Sequence, residues 1–469
     1  MGTVVFPSIR IEGRRGVVPY LEGLHAYPGC YMGERTMMNN ADGMLGAIMA
    51  SESLGLTDTM INGAGGCRSR SQIMLHDLIP RYYPENSGCC RSKYFSRQSR
   101  LPCTYLNGDD IIHGSAVKVL KGIESASSIT GRRVTLLDTL GASLICTDYS
   151  GLTGTESYDP IIIEDDLSAM TMAEGYDSTM STLLGSMDAD SDGEDGFVNI
   201  LGYGIMDQGW ETGADHLCHL LELMDLKVNC MPGCIPDKES LKAIGRSGLN
   251  IMIHPEYSIQ TARMLRERFG TDHIRLTEGA PIGYDATRAF VTEVAERMDA
   301  DPGPAMDFID REAISVHQIL MNYDKLPASL HAKGVALKGE SSVVYPLLKW
   351  MTGSFGMIPR SVSTVDGEYS GEIKEYLEVL GLNGMESVTD GNVDVVFSDG
   401  MDALEGRMKP SITAHVGIMM PRSSAIDLMG RTLVGTIGCR YILDEVFNNM
   451  MRFRCGQPTD INYRPGYEE

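Results

Sequence analysis

The chain predicts an α/β fold of three Rossmann-like domains, each a parallel sheet covered by helices. Three observations lead there. Short apolar segments of strand length alternate with helix-length stretches along most of the 469 residues, the pattern of parallel strands joined by crossover helices. Strands feed glycine-rich loops after residues 61, 201 and 337, where open parallel sheets place their ligand sites. An acidic stretch, 187–196 (MDADSDGEDG), reads as a solvated linker, and a second break falls near 330. The expected domains are therefore 1–195, 196–330 and 331–469, the last with a C-terminal helix.

In order, residues 37–56 read as an apolar helix with Asn40 or Asp42 as N-cap. A short strand, Thr59-Met60-Ile61, runs into Asn62-Gly63-Ala64-Gly65-Gly66-Cys67, and a helix continues to about Ile79. Residues 80–105 are irregular and locally basic, with Cys89, Cys90, Arg91, Lys93, Arg97 and Arg100. Helix 116–125 and the buried strands 134–138 and 161–163 complete the first domain. The second opens on strand 197–201, then helix 213–226, strand 226–230, strand 249–254, helix 258–269 and long helices over 283–322. The third opens on strand 334–337, followed by a helix, strand 393–398 and a terminal helical segment within 424–451.

Composition excludes several classes. The net charge of −23 argues against nucleic-acid backbones and anionic membranes as partners. No apolar run is long enough to span a bilayer, and the N-terminus lacks a secretory core, so a cytoplasmic protein is expected. Eleven cysteines in such a chain point to reduced thiols, some of them metal ligands. Asp188, Asp190, Asp192 and Gly193 mimic the start of an EF-hand loop, but Asn199 stands where the bidentate glutamate belongs, so a linker is preferred.

The stretch 61–67 carries the chemistry. Gly63, Gly65 and Gly66 allow a sharp bend and close approach of a bulky group, and Cys67 stands where a thiolate would hold one. An iron–sulfur cluster and a phosphate are the natural occupants. A strand-to-helix turn carrying a free cysteine is the plainer alternative.

These segments resemble one family. Gly46-Ala47 before a helix, Asn62 to Cys67, Leu106 to Ser115, Val134 to Tyr149, Glu174-Gly175-Tyr176-Asp177, Phe197 to Leu201 and Pro421 to Gly438 (with Asp427, Arg431 and Gly435) follow, in order, the motifs of the nitrogenase component 1 superfamily, beta-type chains. Each motif is loose, and their order and spacing carry the resemblance. It implies a beta-type subunit of an ATP-dependent two-component reductase. Such a subunit helps to hold an interfacial iron–sulfur cluster, [4Fe-4S] or [8Fe-7S]-like, shared with an alpha-type partner in an α2β2 assembly. A homodimeric ATP-binding iron protein delivers the low-potential electrons. Of the family's three cluster cysteines per chain, only Cys67 falls in place. Asp42 stands at the first position, as a carboxylate ligand or a helix cap, and Leu140 stands at the third, with Cys146 six residues beyond. Cys30, Cys103 and Cys146 are the substitutes. The strand that carries the alpha chain's cofactor cysteine reads Ile253-His254-Pro255 here, so that cofactor is not expected, and His254 reads as a satisfied strand-end histidine. The alternatives are a homodimeric tetrapyrrole reductase of the F430 pathway, and a scaffold or maturation protein that kept the fold and lost the cluster.

Overall fold

The structure, a computed structural model, describes residues 41–78, 101–149, 159–191, 196–323, 328–382, 393–400, 412–420 and 429–454. Three parallel sheets follow one another along the chain. The first segment runs α1 (Gly43–Leu54), β1 (Asp58–Asn62), α2 (Gly65–Leu78), α3 (Gly108–His113), α4 (Ala116–Thr130), β2 (Val134–Asp138), α5 (Leu140–Ser143), β3 (Ile161–Ile163) and α6 (Met172–Gly185). Its strands lie in the order β1-β2-β3, with Asp58 opposite Val134 and Thr135 opposite Ile161. Buried on both faces, they read as near-continuous apolar runs.

The second segment runs β4 (Phe197–Leu201), α7 (Trp210–Glu222), β5 (Lys227–Cys230), β6 (Leu249–Met252), α8 (Ile259–Phe269), β7 (Asp272–Arg275), α9 (Tyr284–Met298) and α10 (Gly303–Met321). The third runs β8 (Gly334–Gly339), α11 (Ser341–Phe355), β9 (Ile358–Thr364), α12 (Ser370–Val379), β10 (Val395–Asp399), β11 (Ala414–Met419) and α13 (Gly435–Arg454). The strand orders are β5-β4-β6-β7 and β11-β10-β8-β9. In both sheets the chain reverses its direction of travel beside the first strand, between β4 and β6 and between β8 and β10. Such reversals open a crevice at the carboxyl ends of the strands.

Three strands, β7, β9 and β11, and four helices, α3, α5, α6 and α12, lie outside the sequence expectation. The strands are all outermost in their sheets. An edge strand buries less, so its apolar signal is diluted: β7 is Asp-His-Ile-Arg, and β9 carries Pro359 and Arg360. Helix α6 hides its period because it buries Asp177, Ser178 and Thr179 alongside Met172, Tyr176 and Met180.

Helices α1 and α6 cross with backbone against backbone. A Cβ added at Gly46 would stand 2.0 Å from Met172 O, and one at Gly175 would stand 2.2 Å from Gly43 O. Glycine is demanded here by the contact between the helices. Helix α6 then reaches the second segment. Ser258, the N-cap of α8, gives its hydroxyl to His254 O and leaves the helix start uncapped. Asp177 caps it instead, accepting from Gln260 N at 2.6 Å and from Thr261 N at 2.9 Å. Burial lifts this carboxyl to about 6, against the pull of those donors. One apolar core is shared by the first and second segments and another by the second and third.

Two outcomes test this packing. Gly175→Ala should lower the unfolding free energy by about 3 kcal/mol, since neither backbone can yield, as measured in urea. Asp177→Asn should cost about 1–2 kcal/mol by leaving one buried N–H of α8 unpaired, with hydrogen exchange rising first at Gln260 and Thr261.

Candidate functional site

The rim of the first sheet is built around the side chain of Asn62, the last residue of β1. Asn62 Nδ2 donates to Asp138 Oδ1 at 3.0 Å and to the Tyr149 hydroxyl at 2.8 Å. Its Oδ1 accepts from Thr104 Oγ1 at 2.8 Å, and Thr104 Oγ1 in turn accepts from Gly63 N at 3.0 Å. Burial raises the Asp138 carboxyl, against the hydrogen bonds from Tyr149 and Asn62. The space a Gly63 Cβ would need is filled by Thr139, 2.6 Å away. Gly63 therefore answers to the packing of β1 against the start of α5.

Residues 101–105 run alongside β1: Ile61 N donates to Pro102 O at 2.9 Å and Thr104 N to Ile61 O at 3.1 Å. That pairing carries Cys103 to the glycine turn, with its Sγ 3.2 Å from Gly63 O. Cys67 lies in the first turn of α2, exposed, with its N–H on Ala64 O. Burial pushes the Cys103 thiol up, the Tyr105 N–H and the Arg68 guanidinium draw it back, and the neighbouring Cys67 thiol adds to the rise. Beside the two sulfurs, a Cβ on Gly66 would meet nothing, and one on Gly65 would meet only the Tyr105 ring. Tyr105 is half-exposed, with the Arg68 guanidinium 5.4 Å from its ring centre.

Asp42 caps α1 by accepting from Leu45 N at 3.1 Å and pairs with Arg70 Nη1 of α2 at 2.6 Å. Cys146 is exposed on the loop after α5, at φ 50°, with its thiol 3.5 Å from Ser143 O. Cys30, Cys89, Cys90, the basic residues 91–100 and Asp427 lie outside the described residues. Among the described residues, no group of three or more His, Cys, Asp or Glu converges as a metal cage. The cysteine that sequence spacing ranked only as a substitute, Cys103, is the one the fold brings beside Cys67. Its signal was the apolar Leu101 two positions ahead, which is fully buried and anchors the segment.

Exposed apolar side chains stand on the short helices that leave this rim. Ile112 on α3 is 75% exposed, and Leu144, just after α5, is 77% exposed, with Ile111 and Leu140 beside them in sequence. Elsewhere, Asp190 of the acidic stretch pairs with Arg246 of the second segment at 2.7 Å. His254 is buried at the carboxyl end of β6, with Nδ1 2.6 Å from Ser342 Oγ. No helix among the described residues is long and apolar enough to cross a membrane.

Comparison with known proteins agrees with this arrangement of sheets. The B subunit of the light-independent protochlorophyllide reductase of Rhodospirillum rubrum is 29% identical over 155 residues, 33% of this chain and 27% of that protein. Its counterpart from a Methylobacterium species is 27% identical over 169 residues, 36% of this chain and 32% of that one. The aligned stretches thus span 27% to 32% of those relatives' length. A solved structure described as nitrogenase Cp1 at pH 6.5 superposes with a TM-score of 0.72 over 91% of this chain and 96% of its own, at 16% identity, a likeness of fold. The profile of the nitrogenase component 1 type oxidoreductases matches residues 43–451, and this chain belongs to that family.

Proposed function

We propose that the chain is the beta-type subunit of a nitrogenase-like, ATP-dependent two-component reductase, and that its 63–67 turn helps to hold an iron–sulfur cluster shared with an alpha-like partner. The observation that supports this most is the juxtaposition of Cys67, exposed, and Cys103, half-buried, beside the open ground at Gly66. Two adjacent thiols and a backbone free of side chains suit part of a cluster's ligand set, and the remaining donors are assigned to the partner. A cluster bound there supplies one-electron chemistry at low potential.

This chain's own residues have distinct parts in that reading. Cys67 and Cys103 hold iron as thiolates. Gly65 and Gly66 leave the start of α2 open for N–H groups to approach sulfur, which tunes the potential. Arg68 keeps Tyr105 against the turn and lowers the cost of thiolate charge. Asp42, engaged by Arg70 and Leu45 N, sets the position of α2, and it ligates only on leaving Arg70. Cys146 and Cys30 remain further donors in the proposal. The exposed apolar residues Ile111, Ile112, Leu140 and Leu144 form the ground on which the alpha-like chain sits, in an α2β2 assembly served by a homodimeric ATP-binding iron protein. The relatives' designation as B subunits is in keeping with a beta-type role. A second reading, a scaffold that lost the cluster, is favoured by the lack of a three-donor group among the described residues.

Iron and sulfide analysis separates the two readings. Iron should appear in the complex co-purified with the partner and be absent from the isolated chain, and an iron-free complex supports the scaffold. Cys67→Ser and Cys103→Ser should each remove most of the cluster's absorption while the complex still assembles. In the other direction, Ile112→Asp with Leu144→Asp should weaken hetero-assembly by at least tenfold, by about 1.4 kcal/mol or more, in sedimentation, with the monomer's melting temperature unchanged.

A further inference from the structure

The crevices of the second and third sheets open onto one another. A cavity of about 20 Å³, room for a single water molecule, lies between them. Its wall comes from the carboxyl ends of four strands: Tyr203 and Asp207 after β4, His254 after β6, Glu340 after β8, and Met419 and Met420 at the end of β11. An apolar crevice would serve packing alone. This one gathers ionisable groups instead: His254 and Glu256, both buried, with Glu340 and Asp207 half-buried beside them.

Their hydrogen bonds form a line. Ser342 Oγ lies 2.6 Å from His254 Nδ1 and 2.5 Å from Glu256 Oε1. A hydroxyl has one proton, so it donates to one of these neighbours and accepts from the other. Two arrangements satisfy the line with the same number of protons. In one, His254 carries protons on both nitrogens and Ser342 donates to an ionised Glu256. In the other, Glu256 carries the proton and donates to Ser342, which donates to a neutral His254. Each is supported. Asp207 Oδ1 stands 3.1 Å from His254 Nε2, close enough to favour the imidazolium. Glu256 Oε2 is buried without a hydrogen-bond partner, which disfavours the carboxylate.

The surroundings balance the two. Around His254 lie Asp207, Glu256, Glu340 and the rings of Tyr203 and Tyr257. Around Glu256 lie His254, Ser342 and Asp366, and Glu340 is held by the Tyr257 hydroxyl at 3.1 Å. Burial opposes charge on His254, but the carboxylates outweigh it and lift the imidazole to about 9. Burial lifts Glu256 to about 8, against the pull of His254.

We propose that His254, Ser342 and Glu256 are a proton relay that joins the second and third sheets and exchanges with the cavity on its Asp207 side. In the forward step the His254 Nδ1–H bond breaks as a Ser342 Oγ–H bond forms. Ser342's former O–H bond breaks as a Glu256 Oε1–H bond forms. The imidazole is left neutral with its proton on Nε2, facing Asp207. No electron moves, and the reverse step restores the start.

The test uses the full-length protein, with histidine-selective labelling for magnetic resonance and infrared spectroscopy of the carboxyl stretch. His254→Asn assigns the ring signal and Glu256→Gln the protonated-carboxyl band. In the wild-type protein both signals should change over the same two steps, since the protons belong to the coupled pair and not to either residue. The His254 Nδ1 signal should show exchange broadening that is lost in Ser342→Ala. A wild-type titration in which each group follows a single midpoint of its own, untouched by the other, overturns the relay, and so does broadening that persists in Ser342→Ala. The wild-type titration decides the matter without any change at Ser342, even where that variant fails to fold.

Discussion

The amide of Asn62 is the interaction on which the rim depends. At the carboxyl end of a parallel strand the ladder stops, and its last polar groups need partners from the loops. Asn62 meets that need with one side chain. It takes a hydroxyl proton from Thr104 and gives its own protons to Asp138 and Tyr149, while its carbonyl accepts from Thr139 N. Three stretches distant in sequence are thereby tied to the turn after β1. With Thr104 tied down, Cys103 is held beside Gly63; with Gly63 tied to Thr104, the turn aims Cys67 outward.

The second and third sheets solve the same end-of-strand problem differently. Their carboxyl ends face one another, and the polar groups left over are ionisable. Buried charges persist only where they are paired or share protons. The line from Asp207 through His254 and Ser342 to Glu256 does both, at a boundary where two apolar cores meet. The first sheet thus offers exposed thiols at a surface, and the other two enclose proton-holding groups in the interior. That division suits a chain that exchanges electrons with partners, as proposed, while keeping its inner charge balanced.

Much of this was legible in the amino-acid order. Strands β1, β2, β4, β6, β8 and β10 are apolar because both faces are covered, and coverage leaves a continuous run that can be read directly. The turn at 63–67 was legible because glycine clusters have few other causes. The outer strands β7 and β9 were hidden because an edge relaxes the demand for apolar residues, and β11 because His415 and Gly417 interrupt an otherwise apolar, buried run. Helix α6 was hidden because it buries an aspartate whose partners, Gln260 and Thr261, lie more than eighty positions away.

The chain's own order settled the class of fold and the family's motifs, and it singled out the cysteine at position 67 as a candidate, because these rest on local pattern and spacing. Only the folded molecule decided which cysteine stands beside it. Cys103 reaches the turn through backbone pairing of residues 101–105 with β1, and no local pattern specifies that pairing. The fold alone also turned Asp42 toward Arg70 and set His254 against Ser342, a residue 88 positions on. Hydrogen bonds between distant segments depend on where packing puts them, and packing is a property of the whole chain.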